Sequence, residues 1–306
     1  MINNIIIIGS GPAGLTAALY ASREGYSPML ITGSIAGGQL LLTTLVENYP
    51  AFPEGVLGSD LIDKMNKQAQ HFGTRFVSED VVDIDFSVKP FKIKTNLNIY
   101  QTHALIIATG ASAKWLEIES EKKFIGKGVS SCATCDGPFF RNKNVVVVGG
   151  GDTAMEDSLF LTKFANSVTI LHRRDSFRAS KIMQEKVLSN SKIKVIYNVA
   201  VEEIIGNDKI TGIRIIDINS KKSTLLQTDG VFVAIGHKPN TEFLKGKLKL
   251  DQNGYIITTN EVFTEIEGLF VAGDVADHRY RQAITAASSG CKAALEARAY
   301  LNQKVF

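Results

Sequence analysis

The sequence predicts an α/β fold of two domains, each built on a parallel sheet, with the second domain inserted into the first. Three observations lead there. A strand, a glycine-rich turn, a helix and a second strand follow one another over residues 4–33, and the same order returns over residues 145–171. Both opening strands, Ile5-Ile6-Ile7-Ile8 and Val145-Val146-Val147-Val148, are unbroken apolar runs, the pattern of parallel strands covered on both faces. A third strand ending in glycine, Leu269-Phe270-Val271-Ala272-Gly273, follows the second unit and has no domain of its own. Returning it to the first domain makes the second an insertion. The expected parts are 1–113, 114–243 and 244–306, and the 306 residues suit two domains of roughly 100 to 200 residues each.

Composition excludes several classes of function. The chain is 44% hydrophobic and 21% charged, with no biased stretch, as expected of a folded globular protein. A net charge of +3 from 34 basic and 31 acidic residues is too balanced for nucleic-acid binding. No apolar run approaches the roughly 18 residues of a membrane span. The first strand starts almost at Met1, which leaves no room for a signal peptide. Three cysteines are not the framework of a small secreted domain, so a reducing, cytoplasmic compartment is expected. Cys291 reads as a small residue on the apolar side of a C-terminal helix running from about 282 to 300.

The first turn, Gly9-Ser10-Gly11-Pro12-Ala13-Gly14, carries all three glycines of a dinucleotide fingerprint between a strand and a helix. They serve a tight turn, close approach of a pyrophosphate, and close packing of helix on strand. The helix N-terminus then offers unpaired N–H groups to phosphate. The acid that ordinarily ends the second strand and holds a ribose is missing, because that strand closes Leu30-Ile31-Thr32-Gly33. Gly33, Gly37, Gly38 and Gln39 form either a backbone-rich substitute or a surface loop.

The second turn, Gly149-Gly150-Gly151-Asp152-Thr153-Ala154, is the variant with alanine in third place. After its second strand comes His172-Arg173-Arg174, with Arg178 one turn on, where an acid would repel a 2′-phosphate. Charge-assisted hydrogen bonds are worth roughly 1.5–3 kcal/mol each, so two of them favour NADPH over NADH by about a hundredfold or more. A solvated basic surface is the alternative.

Between the two fingerprints lies Cys132-Ala133-Thr134-Cys135-Asp136. A zinc site would need four ligands, and only Cys291 and scattered histidines remain, so no metal is expected. A dithiol between two nucleotide sites reads as a redox pair. Because an ordinary thiol is only about a few per cent ionised at neutral pH, a proton carrier beside it helps, and Asp136 is adjacent. Asp136-Gly137-Pro138 also makes a turn, and the two readings are compatible.

With these motifs the chain resembles the low-molecular-weight, bacterial-type thioredoxin reductases over essentially its whole length. The matches are GSGPAG, GGQL at 37–40, ENYP at 47–50, ATGAS at 108–112, CATCDG at 132–137, GGGDTA, HRRDSFR at 172–178, AIGHKPNT at 234–241, AGDV at 272–275 and YRQA at 280–283. The resemblance implies two Rossmann-like three-layer domains, the NADPH domain inserted into the FAD domain. It implies a flavin site made by Gly9, Gly11, Pro12, Ala13 and Gly14, by Thr32, Gly33, Gly38, Gln39, Leu40 and Asn48, and by Ala108, Thr109 and Gly110. Gly273, Asp274, Arg281, Gln282 and Ala283 complete it, with Asp274 on the ribityl chain. The NADPH site takes Gly149 to Ala154 together with His172, Arg173, Arg174, Arg178, Ile235 and Gly236. Cys132 and Cys135 would form a disulfide, Cys135 toward the flavin and Cys132 exchanging with thioredoxin, with Asp136 as proton donor.

A homodimer is implied too, as is rotation of one domain against the other. The chain departs from the family pattern in lacking the usual proline near Trp115-Leu116-Glu117-Ile118-Glu119 and in varying Ser34-Ile35-Ala36. A relative reducing another carrier and a non-catalytic flavin-binding sensor are the other readings of such a fold.

Overall fold

The computed structural model describes residues 2–34, 36–43 and 45–304, so Ile35 lies outside the described residues. The chain divides into two compact units, Met1–Ser112 with Lys238–Phe306, and Ala113–His237.

In the first unit the central strand Ile2–Ile8 pairs in parallel with Met29–Ile31 and Ile99–Ile107. Arg75–Val77 extends one edge in parallel. The other edge is shared: Leu269–Val271 runs parallel to the end of Ile99–Ile107, while Phe91–Thr95 and Val81–Asp85 form an antiparallel hairpin against its beginning. The four isoleucines are apolar throughout because both sheet faces are buried. Ile5 and Ile7 pack with Ala17, Ala18, Ala293 and Ala297, whereas Ile6 and Ile8 pack with Phe91, Ile93, Leu244, Ile256 and Val275. Each such side chain contributes about 1.5–3 kcal/mol of burial.

Among the described residues, α-helices cover only the first of these faces. The helix Pro12–Arg23 presents a stripe of alanines to Ala283–Gln303, and the two come so close that a Cβ on Gly290 would lie 2.1 Å from the Ala13 carbonyl oxygen. A capping box of Gln282 and Thr285 starts the C-terminal helix.

In the second unit five parallel strands lie in the order Val129–Ser130, Gly230–Ala234, Asn144–Gly149, Ser167–Leu171, Ile193–Ile196. The helices Asp152–Leu161 and Lys181–Leu188 cover the face of Val145, Val147 and Phe232. An antiparallel sheet, Val199–Gly206, Ile210–Asp217 and Ser223–Gln227, covers the face of Val146, Val231 and Val233. The unit is three-layered, with a sheet rather than helices as its third layer.

The return crossing lies at His237–Lys238, ahead of the 243/244 junction suggested by sequence, because Asn240 is already bound into the first unit. Its N–H donates to Gly110 O at 3.0 Å, its amide to Thr109 O at 2.8 Å, and its two oxygens accept from the Thr109 and Ser112 hydroxyls at 2.9 and 3.0 Å. In the segment without the usual proline, the buried carboxylate of Glu121 accepts the N–H groups of Leu116 and Glu117 at 2.9 and 3.0 Å. Burial pushes the pKa of Glu121 up.

Candidate functional site

In the first unit the three fingerprint glycines have three different surroundings. A Cβ on Gly9, whose φ is +109°, would lie 2.2 Å from Ala108 O, and one on Gly14 would lie 1.8 Å from Gly9 O. Gly11 has nothing within 4 Å of that position, so its open side is where a pyrophosphate has room against the start of the helix. Ala13 touches Gly273, whose added Cβ would sit 2.9 Å away. That contact brings Asp274 to the fingerprint.

Around this turn the expected flavin residues converge. Ser10 ties the neighbouring loop down, accepting the Gly37 N–H at 2.9 Å and donating to Thr32 O at 3.2 Å. Gly38, Gln39 and Leu40 follow in a short 3-10 segment, Gly38–Leu42. The Thr32 hydroxyl is spent on Gly33 O at 2.8 Å. Asn48 donates to the Gln282 side chain at 3.2 Å, Arg281 takes a left-handed φ of +49°, and Ala283 starts the C-terminal helix. An acid does stand beside Gly33: Asp80, from after the strand Arg75–Val77, accepts the Ser34 N–H at 2.8 Å.

Asp274 is the chemically unusual member. Its Oδ1 is buried with no hydrogen-bond partner among the described residues. Burial, helped by Asp277 and opposed by Arg281, pushes its pKa from 3.8 up to about 7. An orphaned acceptor beside an open glycine turn fits a polyhydroxylated group such as the ribityl chain of FAD, whose hydroxyls would supply the missing donor.

The second unit repeats the plan. A Cβ on Gly149 would lie 2.4 Å from Ala234 O, matching Gly9 against Ala108, and Gly151 has nothing within 4 Å, matching Gly11. Asp152 opens the helix and accepts the Ser180 N–H and hydroxyl at 2.9 and 2.8 Å, bonds that hold its pKa down. Ala154 is fully buried, while Ile235 and Gly236 follow the strand that flanks Gly149. His172 is buried, with Nδ1 at 3.0 Å from Gly149 O and Nε2 at 2.9 Å from Ser176 O. It therefore pins the glycine turn to the arginine loop. Arg178 N–H donates to Gly150 O at 2.8 Å, and the side chains of Arg173, Arg174 and Arg178 are exposed. Among the described residues none of the three arginines is in an ion pair, so each is open to an anion.

Cys132 and Cys135 form a disulfide with Cα atoms 5.3 Å apart, across the single turn Ala133–Asp136. The Asp136 N–H donates to Cys132 O at 3.1 Å. Burial pushes the Asp136 carboxyl up in pKa, and a hydrogen bond with Ser130 draws it back down. The Thr134 hydroxyl lies 3.4 Å from Cys132 Sγ. A 3-10 segment, Gly137–Phe140, follows directly, so Asp136 serves both turn and carboxyl. Beneath it, a Cβ on Gly137 would meet Phe160 at 3.2 Å.

Cys291 is half-buried, and its thiol raises the pKa of the nearby, exposed Tyr20 hydroxyl. Among the described residues no three His, Cys, Asp or Glu side chains gather as a metal set, and no helix is long and apolar enough to cross a membrane.

Ser130, Asp80 and Asn240 were not singled out by sequence reasoning. Asn240 had a signal, since it stands in the AIGHKPNT stretch. Ser130 is brought in by a separate strand and Asp80 by the loop after one.

The family described as pyridine nucleotide-disulphide oxidoreductase matches residues 3–290. A thioredoxin reductase of Rickettsia conorii is 53% identical over 304 residues, covering 98% of each chain. Among solved structures, thioredoxin reductase from Giardia duodenalis is 43% identical with a TM-score of 0.94, over 98% of this chain and 99% of that one. Thioredoxin reductase from Streptococcus pyogenes is 38% identical with a TM-score of 0.95, over 99% of each.

Proposed function

From the premise that the chain belongs to the pyridine nucleotide-disulphide oxidoreductase family, we infer that it is a thioredoxin-disulfide reductase using NADPH and FAD. The observation that carries this is the Cys132–Cys135 disulfide with a half-buried acid at its end, in the same unit as a dinucleotide turn rimmed by three arginines that make no ion pair among the described residues.

Bound FAD supplies a two-electron relay between the reduced nicotinamide and the disulfide. The chain's own residues do the rest. Gly11 and the helix behind it bind the flavin's pyrophosphate, Asp274 accepts from its ribityl chain, and Asn48, Arg281 and Gln282 close the rim. Gly151 and the N-terminus of Asp152–Leu161 receive the NADPH pyrophosphate, while Arg173, Arg174 and Arg178 hold its 2′-phosphate, each bond contributing roughly 1.5–3 kcal/mol.

Cys135 is the sulfur on the relay side, and Cys132 exchanges with thioredoxin. Desolvation pushes the Asp136 carboxyl up in pKa, which favours the protonated form that can give its proton to the thiolate released when the S–S bond opens. The reading extends to a cytoplasmic homodimer.

The deciding assay follows NADPH oxidation with thioredoxin and a chromogenic disulfide. Cys132→Ser and Cys135→Ser should each abolish thioredoxin reduction while NADPH still bleaches the flavin. Loss of both activities would refute this order of transfer, and purified protein without a flavin spectrum would refute the reading altogether.

A further inference from the structure

The hydroxyl of Thr134 lies 3.4 Å from Cys132 Sγ. A sulfur in a disulfide has no proton to give, so Thr134 is the donor and Cys132 Sγ the acceptor. Among the described residues Cys135 Sγ has no hydrogen bond, so the two sulfurs of the pair are not equivalent. The contact sits in a fixed frame. The Cys132 N–H donates to Ser130 Oγ at 3.0 Å, at the end of the strand Val129–Ser130, and Cys132 O accepts the Asp136 N–H at 3.1 Å. With the Cys132 peptide held on both sides, the turn Ala133–Asp136 places Thr134 beside the sulfur. Neutral sulfur is a weak acceptor, whereas a hydrogen bond to an ionised acceptor is roughly twice as strong as a neutral one. The bond therefore strengthens when the disulfide opens and charge collects on Cys132.

We propose that Thr134 is a catalytic residue of thioredoxin reduction, its hydroxyl donating to Cys132 Sγ and stabilising that sulfur, rather than Cys135, as the thiolate. This rests on the reading of Cys132 as the sulfur that exchanges with thioredoxin. On reduction two electrons enter at Cys135, the S–S bond breaks, and Cys132 leaves as thiolate. Asp136 gives Cys132 a proton, while water protonates Cys135 and restores Asp136. Thr134 keeps its own proton throughout. In exchange, the Cys132 thiolate attacks the thioredoxin disulfide to form a mixed disulfide, and Cys135 then attacks Cys132 and releases thioredoxin. The two electrons and two thiol protons end on thioredoxin as a dithiol. A thiol of lower pKa leaves faster and is more ionised near neutral pH, so one hydrogen bond serves both stages.

The titratable and charged side chains on the elements packed against this turn are Asp152, Glu156 and Asp157 of the helix Asp152–Leu161 and Arg141 after the 3-10 segment, with Asp136 in the turn itself.

The test uses FAD-loaded protein carrying Cys135→Ser and Cys291→Ser, which leaves Cys132 as the single thiol of the three. Its reaction with an aromatic disulfide is followed against pH, with bleaching of the flavin by NADPH as the check on folding. Thr134→Val keeps the shape and removes the hydroxyl. The midpoint of Cys132 ionisation should rise by about one pH unit, the lower end for a bond to a charged group because Thr134 is exposed. Nucleophilicity rises with pKa at a Brønsted slope of about 0.4–0.5, so the rate on the alkaline plateau should rise about threefold. Thr134→Ser should restore both values. If Thr134→Val does not bleach, Thr134→Ala must show the same two shifts. An unmoved midpoint in a variant that bleaches would overturn the role of Thr134. Capture separates the two readings. Thioredoxin with one redox cysteine replaced and the other carried as an aromatic mixed disulfide should be captured by Cys132 in Cys135→Ser protein. Capture by Cys135 in Cys132→Ser protein, and not by Cys132, removes the exchange reading and this proposal together, whereas capture by Cys132 with an unmoved midpoint removes the proposal alone.

Discussion

Replacing Asp274 by asparagine in flavin-free protein removes a partly buried acid whose Oδ1 has no hydrogen-bond partner, and the expected change in stability has a definite sign. Burial first, then Asp277, raise the pKa from 3.8 to about 7 against Arg281. The folded chain therefore binds this proton more tightly than the unfolded chain. Its contribution to stability is fully present below pH 3.8, is lost as pH rises, and is level above about pH 7. At about 1.36 kcal/mol per pH unit, keeping the carboxylate in the folded chain at pH 8 costs roughly 4 kcal/mol. That figure is an upper bound, because the residue keeps some contact with water.

Urea unfolding at pH 5, 6, 7 and 8 should show the parent losing stability across this range while Asp274→Asn loses less. The gap should open toward pH 8 in favour of the variant. Adding FAD should reverse the order, since the ribityl hydroxyls would supply the donor that Oδ1 lacks. Parallel curves for the two proteins from pH 5 to 8 would refute the assignment of Asp274 as an acceptor kept in waiting.

Arg173→Ala combined with Arg174→Ala should raise KM for NADPH far more than for NADH, cutting the preference by about a hundredfold if each arginine makes one charge-assisted bond; steady-state kinetics with both nucleotides decide it. Gly11→Ala has room for its methyl group and should fold but bind FAD weakly, whereas Gly14→Ala meets the Gly9 carbonyl at 1.8 Å and should fail to accumulate as folded protein. Flavin content and a thermal melt of the two variants test that contrast. Gly151→Ala should lower NADPH affinity with the flavin spectrum unchanged, measured by titrating oxidised protein with NADP.

The two phosphate turns were legible in the sequence because their requirements are local. A glycine at position 9 or 149 is demanded by the carbonyl of a strand end, and one at 11 or 151 by room for a ligand, at fixed spacing along the chain. The redox pair was legible for the same reason, being closed within four residues. Ser130 and Asp80 were not, because their roles arise from the order in which strands pair: Val129–Ser130 docks beside Gly230–Ala234, and Arg75–Val77 beside Met29–Ile31.

The covering layers were not legible. Continuous apolar strands establish that both faces are buried without saying by what. The second face proves to be covered by an antiparallel sheet in one unit and by the hairpin and residues 244–275 in the other. His172 shows a third kind of illegibility. Its place beside two arginines suggests a ligand contact, whereas its buried ring lies between two backbone carbonyls, Gly149 O and Ser176 O.

The helix Asp152–Leu161 has its first residue at the phosphate turn and its last two, Phe160 and Leu161, under Gly137 of the redox turn. At 1.5 Å per residue it is a strut of about 15 Å with one end at the glycine turn and the other at the dithiol. Its length and winding set how those two ends are aimed. Inserting one residue would lengthen it by about 1.5 Å and turn its far end by about 100°, lifting Phe160 from beneath Gly137 without touching any residue that binds or reacts. The spacing of the glycine turn and the redox turn within the second unit is thus written in a count of helical residues, and it tolerates substitution along the outer face far better than a single insertion.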